Sequence, residues 1–261
     1  MSVEPHDAPT VVRTERRPGL VRIVLDRAEE GNALNLHMAR GILAALHAAE
    51  ADPDVHVLTL TGTGRFFCGG GDVRSIAGQP TEQRPAYLAE LAGAAHEVAL
   101  AMVTTRLLVV AGVNGAAAGA GLGLVLNADW ALVAEEATLL AAYAGIGLTP
   151  DTGVSYLLPR TVGHPRSVEM TLGGRRLSGN EAVAWGLANA SAPAAVFDGE
   201  LTVAEDAFLQ GAVQTLGPTK RLLRAGMIEG YAAHLRAESS SIAALVAHPD
   251  TVRRVNRFAG R

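Results

Sequence analysis

Residues 114–124 read N-G-A-A-A-G-A-G-L-G-L. An apolar run, residues 107–113, precedes them, and further apolar residues follow to Asn127. A short β-branched run, then small residues, then a longer apolar run reads as strand, turn and helix start. Small residues let the backbone come close to a ligand. The first N–H groups of a helix have no intrahelical acceptor and lie at the positive end of its dipole. Such a turn can receive an anion, or a carbonyl oxygen becoming one.

The same pattern occurs upstream. Residues 55–61 read as a strand, and residues 62–71 as a Gly-rich loop that includes Phe66-Phe67-Cys68-Gly69-Gly70-Gly71 and runs into Asp72. Residues 20–26 alternate as a strand. Residues 36–51 show helical periodicity through Met38, Ile42, Leu43 and Leu46, and Asp52-Pro53-Asp54 breaks it. Residues 80–106 are largely helical, with Leu88, Leu91, Ala95, Val98 and Met102 on one face. Residues 129–134 and 138–142 are short strands. Ser178-Gly179-Asn180-Glu181 fits a capping box before a helix over 182–186. Residues 218–238 read as one long helix with Pro218 near its first turn. Residues 1–9 read as a loose tail. Strand–helix alternation with no composition break implies one α/β core, residues 10–195, followed by a helical region, 196–261.

The chain has 261 residues and is 49% hydrophobic, enough for a sizeable core. Its formal net charge of −4 gives no support for binding nucleic acid or an anionic membrane surface. Cys68 is the only cysteine, so no intrachain disulfide forms, and a reducing, cytoplasmic setting is expected. The N-terminus lacks the apolar stretch of a signal peptide, and no uninterrupted apolar run reaches membrane-spanning length.

Two loops, each after a strand, each offer free backbone N–H groups. Two such donors converging on one point form an oxyanion hole, and losing one costs ~3 kcal/mol of transition-state stabilisation. Three consecutive glycines also read simply as a flexible turn. Neither loop is a phosphate motif: there is no G-x-x-x-x-G-K-[ST]. Gly119-Ala120-Gly121-Leu122-Gly123 matches only part of a dinucleotide fingerprint and lacks the acidic residue that closes it. The eight histidines show no metal-ligand spacing, and His37, His47 and His96 fall on helices as surface or packing residues. Ser155 lacks the nucleophile-elbow pattern, and Cys68 reads as a small packing residue.

With both loops in view, the chain resembles the crotonase, or enoyl-CoA hydratase/isomerase, superfamily. The resemblance rests on L-D-R-x-x-x-x-N-A-L (25–34), F-C-G-G-G-D (67–72), V-N-G-A-A-A-G-A-G (113–121), Asp129, and I-G-L-T-P-D-T-G-V-S-Y-L-L-P-R-T-V-G (146–163). It implies a spiral of ββα turns with a helical C-terminal region that builds homotrimers or pairs of trimers. It implies acyl-CoA thioester substrates, with coenzyme A as part of the substrate and no separate cofactor or metal. By position, the oxyanion-hole donors would be the backbone N–H groups of Gly71 and Ala120. Gly69, Asp72, Val73 and Tyr143 would line the thioester site. Arg27 and Arg65 would meet coenzyme A phosphates or simply lie at the surface. Phe258 and Arg261 fall where the family's C-terminal aromatic and basic residues approach coenzyme A.

Hydratases of the family carry two glutamates. Their positions fall here on Gly123 and Tyr143, neither of which is a carboxylate. Asp151 remains, in the position of the aspartate used by the isomerase branch. The phenylacetate-pathway epoxide/enoyl-CoA isomerases match in both A-A-G-A-G and I-G-L-x-P-D. The same region resembles 4-chlorobenzoyl-CoA dehalogenase, where the aspartate is a nucleophile. Asp151 is therefore expected as a proton-transfer base, with a role as helix N-cap open beside it. A non-catalytic acyl-CoA-binding protein and an atypical hydratase remain open as alternatives. Asp72 is expected to cap the helix after the first loop.

Overall fold

The computed structural model describes residues 11–260. Within it the chain enters through an antiparallel hairpin, β1 (Val12–Arg17) and β2 (Leu20–Leu25), and continues into α1 (Leu36–Glu50). It then winds three times through one unit: a strand in a long sheet, a three-residue strand in a short sheet, then helix. The first turn is β3 (Val57–Gly62), β4 (Phe66–Cys68), α2 (Val73–Ala77) and α3 (Arg84–Thr104). The second is β5 (Leu108–Val113), β6 (Ala116–Ala118) and α4 (Ala120–Asn127). The third is β7 (Trp130–Ala134), β8 (Thr138–Leu140), α5 (Val154–Val162) and α6 (His164–Thr171).

After these come β9 (Arg176–Ser178), α7 (Gly179–Ala184) and β10 (Ala190–Ala192). Four helices finish the chain: α8 (Phe197–Gln210), α9 (Leu216–Ile228), α10 (Tyr231–Leu245) and α11 (Pro249–Ala259). The long sheet runs β1-β2-β3-β5-β7-β10 and the short one β4-β6-β8-β9. From β2 to β10 the long sheet is parallel. The resulting fold is the ββα spiral that the sequence implied.

The inner strands β2, β3, β5 and β7 are largely buried and mostly apolar, as strands covered on both faces must be. α3 is long and apolar enough to span a bilayer by length and composition. Here it packs against α1 and α10, with Leu88, Leu91, Ala95, Val98 and Met102 buried. Ser178 and Glu181 form the expected capping box, each side chain accepting from the other's backbone N–H, at 3.3 and 2.9 Å.

Three features differ from the sequence-based expectations. β1 is a mostly exposed edge strand, V-R-T-E-R-R, without an apolar face to announce it. β4 and β6 lie inside what reads as loop. The single helix expected over 218–238 is two helices. Gly230, at φ +82°, has the left-handed backbone that ends one helix run, and Tyr231 restarts the chain toward the core. Tyr231 is fully buried there and donates to Asn127 Oδ1 at 2.6 Å.

Candidate active site

β4, β6 and β8 are neighbours and parallel, so whatever follows each strand emerges at the same end of the short sheet. Ligands in parallel sheets are received there, outside the carboxyl ends of the strands. Gly69 to Gly71 follow β4, Gly119 and Ala120 follow β6, and the segment carrying Tyr143 and Asp151 follows β8.

The first two loops touch. Gly70 has φ +102°, and a Cβ on it would lie 2.8 Å from the carbonyl oxygen of Ala118, so only glycine lets the loops close up. Leu34 bridges to this loop through its own N–H on Gly70 O (2.7 Å) and its carbonyl on Asp72 N–H (2.9 Å). Those bonds use the groups either side of Gly71. The Gly71 N–H therefore faces away from Leu34, and Gly71 lines the cleft. Ala120 is the first residue of α4, so its N–H has no carbonyl one turn back. Gly119 N–H donates to Leu140 O at 3.0 Å and ties this turn to the end of β8.

Asp72 caps α2 as expected, accepting from Ser75 N–H at 3.1 Å. Its other oxygen accepts from Arg27 at 3.1 Å, and Arg27 also donates to Ala33 O at 2.6 Å. Arg27 is thus turned inward to brace the first loop and does not line the cleft. Asp72 borders an outer groove together with Glu29, Glu30 and Arg74.

The cleft encloses roughly 630 Å³ of atom-free space, open mouth included, within the range of small-molecule sites. Val73, Ile76, Leu88, Leu91 and Ile242 make its walls apolar, and Phe258 from α11 stands half-exposed at the mouth. Arg261, expected near coenzyme A, and the tail at 1–9 lie outside the described residues.

Among the described residues Asp151 is the only carboxylate lining the cleft. Its Oδ1 accepts from the Tyr143 hydroxyl at 2.7 Å and the Thr152 hydroxyl at 3.0 Å. Burial raises its pKa above the ordinary carboxylate value, and these two donors pull it part of the way back. The N-cap role does not fall to its side chain: α5 starts at Val154 behind Gly153 without a side-chain cap, and the Val154 N–H donates to the Asp151 backbone carbonyl at 3.0 Å, not to its carboxylate. Burial, then the Asp151 charge, push the Tyr143 phenol well above its usual pKa, so Tyr143 is a donor here and not a base.

The other hydratase-glutamate position is closed. A Cβ on Gly123 would lie 2.7 Å from Thr152 Cβ, so no side chain can grow from it toward the cleft without displacing the Asp151 turn.

Two residues matter here more than the sequence suggested. His96, expected at the surface or in packing, is buried beside the cleft-lining Ala95. Its Nε2 has no hydrogen-bond partner among the described residues, and burial pushes its pKa down to about 4, leaving it neutral. Glu238 on α10 accepts hydrogen bonds at the start of α5. It had no sequence signal, because its partners lie more than 80 positions away.

The profile describing enoyl-CoA hydratase/isomerase matches residues 15–259. The chain belongs to this family. Among solved structures, an enoyl-CoA hydratase from Mycobacterium avium subsp. paratuberculosis K-10 superimposes with a TM-score of 0.87. It is 29% identical and aligns over 97% of this chain and 96% of its own. A 4-chlorobenzoyl coenzyme A dehalogenase from an Arthrobacter species is 28% identical over 95% of this chain and 90% of its own length. The 1,2-epoxyphenylacetyl-CoA isomerase of Escherichia coli K12 is 33% identical over 65% of this chain and 64% of its own. The family acts on coenzyme A thioesters, and these relatives carry out three different reactions on them.

Proposed function

We propose that this enzyme moves a double bond within an acyl-CoA thioester, with Asp151 as the proton carrier. The observation that carries this is one buried carboxylate, of raised pKa, in an apolar cleft beside two backbone N–H donors and the Tyr143 hydroxyl that donates to it. The Gly71 and Ala120 amides donate to the thioester oxygen and stabilise the negative charge that collects there. That makes the carbon next to the carbonyl acidic. Asp151 takes its proton, the electron pair delocalises as a dienolate, and Asp151 returns the proton to the far end of the conjugated system. The atoms balance without a metal or redox cofactor. A carboxylate held above its ordinary pKa both takes and gives back a proton near neutrality more readily than an exposed one. Association as a trimer or a pair of trimers belongs to the same proposal, and Leu222 and Leu223, largely exposed on α9, offer apolar surface for it.

Asp151→Asn keeps an oxygen for Tyr143 and Thr152 but removes the base. With 3-enoyl-CoA substrates its kcat is expected to fall ~10²–10⁴-fold. Undiminished turnover in the folded variant removes the proposal.

The near full-length dehalogenase match favours a second chemistry. Asp151 would attack a ring carbon bearing a halide on an aroyl-CoA, expelling halide and leaving an aryl ester. Water would then cleave the ester, releasing the hydroxyaroyl-CoA and restoring the Asp151 carboxylate. Chloride release from 4-chlorobenzoyl-CoA, with no isomerisation of 3-enoyl-CoA, selects this chemistry over the first.

A further inference from the structure

The turn that presents Asp151 is under strain. Thr152 is β-branched, fully buried, and has φ +54°, a left-handed conformation that such residues rarely adopt. Gly153 follows at φ +81°, and α5 begins immediately after it. No side chain of this segment caps the helix; Val154 N–H donates to the Asp151 carbonyl at 3.0 Å, and the amides either side of it, on Gly153 and Ser155, need acceptors from elsewhere.

Two groups from distant parts of the chain hold the turn. Asn127, at the end of α4, donates to Thr152 O at 3.0 Å and to Gly123 O at 2.7 Å. Glu238, from α10, accepts from Gly153 N–H at 2.8 Å, from Ser155 N–H at 3.0 Å, and from the Ser155 hydroxyl. A carboxylate at this place also faces the positive end of the α5 dipole.

Glu238 is 4% exposed, and burial pushes its pKa up to about 7. A carboxylate so costly to bury is conspicuous in an apolar helix packing. The groups facing it are His96 on α3, with Nε2 at 4.0 Å, His234 one turn back on α10, and Ser155 and Asp151 from the α5 segment. Tyr143 and Tyr231 also feel its charge. Glu238 does not line the cleft, whereas Ile242, one turn further along α10, does.

We infer that Glu238 is a positioning residue for Asp151: it caps α5 from across the fold and holds the strained turn that aims the carboxylate into the cleft. This rests on Asp151 being the reacting carboxylate. Small errors in the placement of a reacting group are costly, of order 10²-fold for ~1 Å. Glu238 thereby links one helix to both the floor of the acyl pocket and the aim of the base.

The test uses the full chain with Glu238→Ala and Glu238→Gln. Glu238→Ala is expected to lower kcat about 10- to 100-fold at nearly unchanged KM, and Glu238→Gln, which keeps one acceptor oxygen, to recover a large part of it. Hydrogen exchange at the Gly153 and Ser155 amides is expected to speed up in Glu238→Ala and less in Glu238→Gln. A lowered melting temperature with kcat unchanged per folded molecule overturns the inference. Unchanged exchange at both amides overturns it too. If Glu238→Ala does not fold, the kcat and exchange of Glu238→Gln decide in the same way. Asp151→Asn separates the two ideas: if that variant stays active, the role of Asp151 fails, while amide exchange still judges the clamp.

Discussion

Replacing Tyr143 by phenylalanine removes one hydroxyl and leaves the ring that packs against Gly119. The lost group is the 2.7 Å donor to Asp151 Oδ1, in a pair with each residue under a tenth exposed. A hydrogen bond to a charged partner is worth ~1.5–3 kcal/mol, and one pKa unit is ~1.4 kcal/mol. The bond favours the ionised carboxylate, so its loss raises the Asp151 pKa further, by about 1–2 units. The base must be ionised to act. The acid limb of the kcat–pH profile for 3-enoyl-CoA isomerisation should therefore move up by about 1–2 units in Tyr143→Phe. Above that limb the rate should return to the parent level or exceed it, because the carboxylate is then a stronger base. Stopped or continuous detection of the conjugated thioester by its ultraviolet absorbance gives the profile. A limb that stays put, or moves down, refutes the assignment of that limb to Asp151 and of Tyr143 as its donor.

Gly123→Glu should not raise 2-enoyl-CoA hydration in the folded fraction: its Cβ collides with Thr152, so ~1–3 kcal/mol or more of stability is lost. Asp72→Ala removes the α2 cap and the carboxylate partner of Arg27, which keeps only Ala33 O, costing ~1–2 kcal/mol in chemical denaturation and lowering kcat as the Gly71 loop loosens. Glu238 has a folded pKa of about 7 against an ordinary 4.5, so the stability it contributes is full below pH 4.5 and is lost as pH rises through 7. Denaturation of Glu238→Gln should lack that decline, on the order of 3 kcal/mol, relative to the parent. His96 has the opposite slope, its contribution being lost as pH falls from 6.5 through about 4, so the parent–variant difference is the quantity to compare.

β2, β3, β5 and β7, with α1, α3 and the capping box at Ser178, were legible because each carries its own local pattern. β4 and β6 were not. Each has three residues, and Ala116-Ala117-Ala118 has no strand preference of its own; pairing with Phe66 and Cys68 on one side and Leu139 and Leu140 on the other holds it extended. The two donor loops were visible as clusters of small residues, but only the pairing of those hidden strands puts them side by side. Pro150-Asp151 resembles a helix start, and the two left-handed residues that postpone α5 leave no mark in the sequence beyond Gly153. Glu238 was illegible for a different reason: a long-range cap is written in two places that only the fold joins.

The proposed oxyanion donors are main-chain groups at the ends of β4 and β6, which has a consequence for how this chemistry can change. Of the side-chain replacements, only proline deletes an amide hydrogen. The half of the catalyst that grips the thioester is therefore sheltered from drift for as long as the two strands stay paired. The half proposed to choose the reaction lies in side chains on the segment after β8, where replacing Tyr143 or Asp151 changes the reacting groups and leaves those amides in place. A fold so divided lets reactivity wander while recognition stands still.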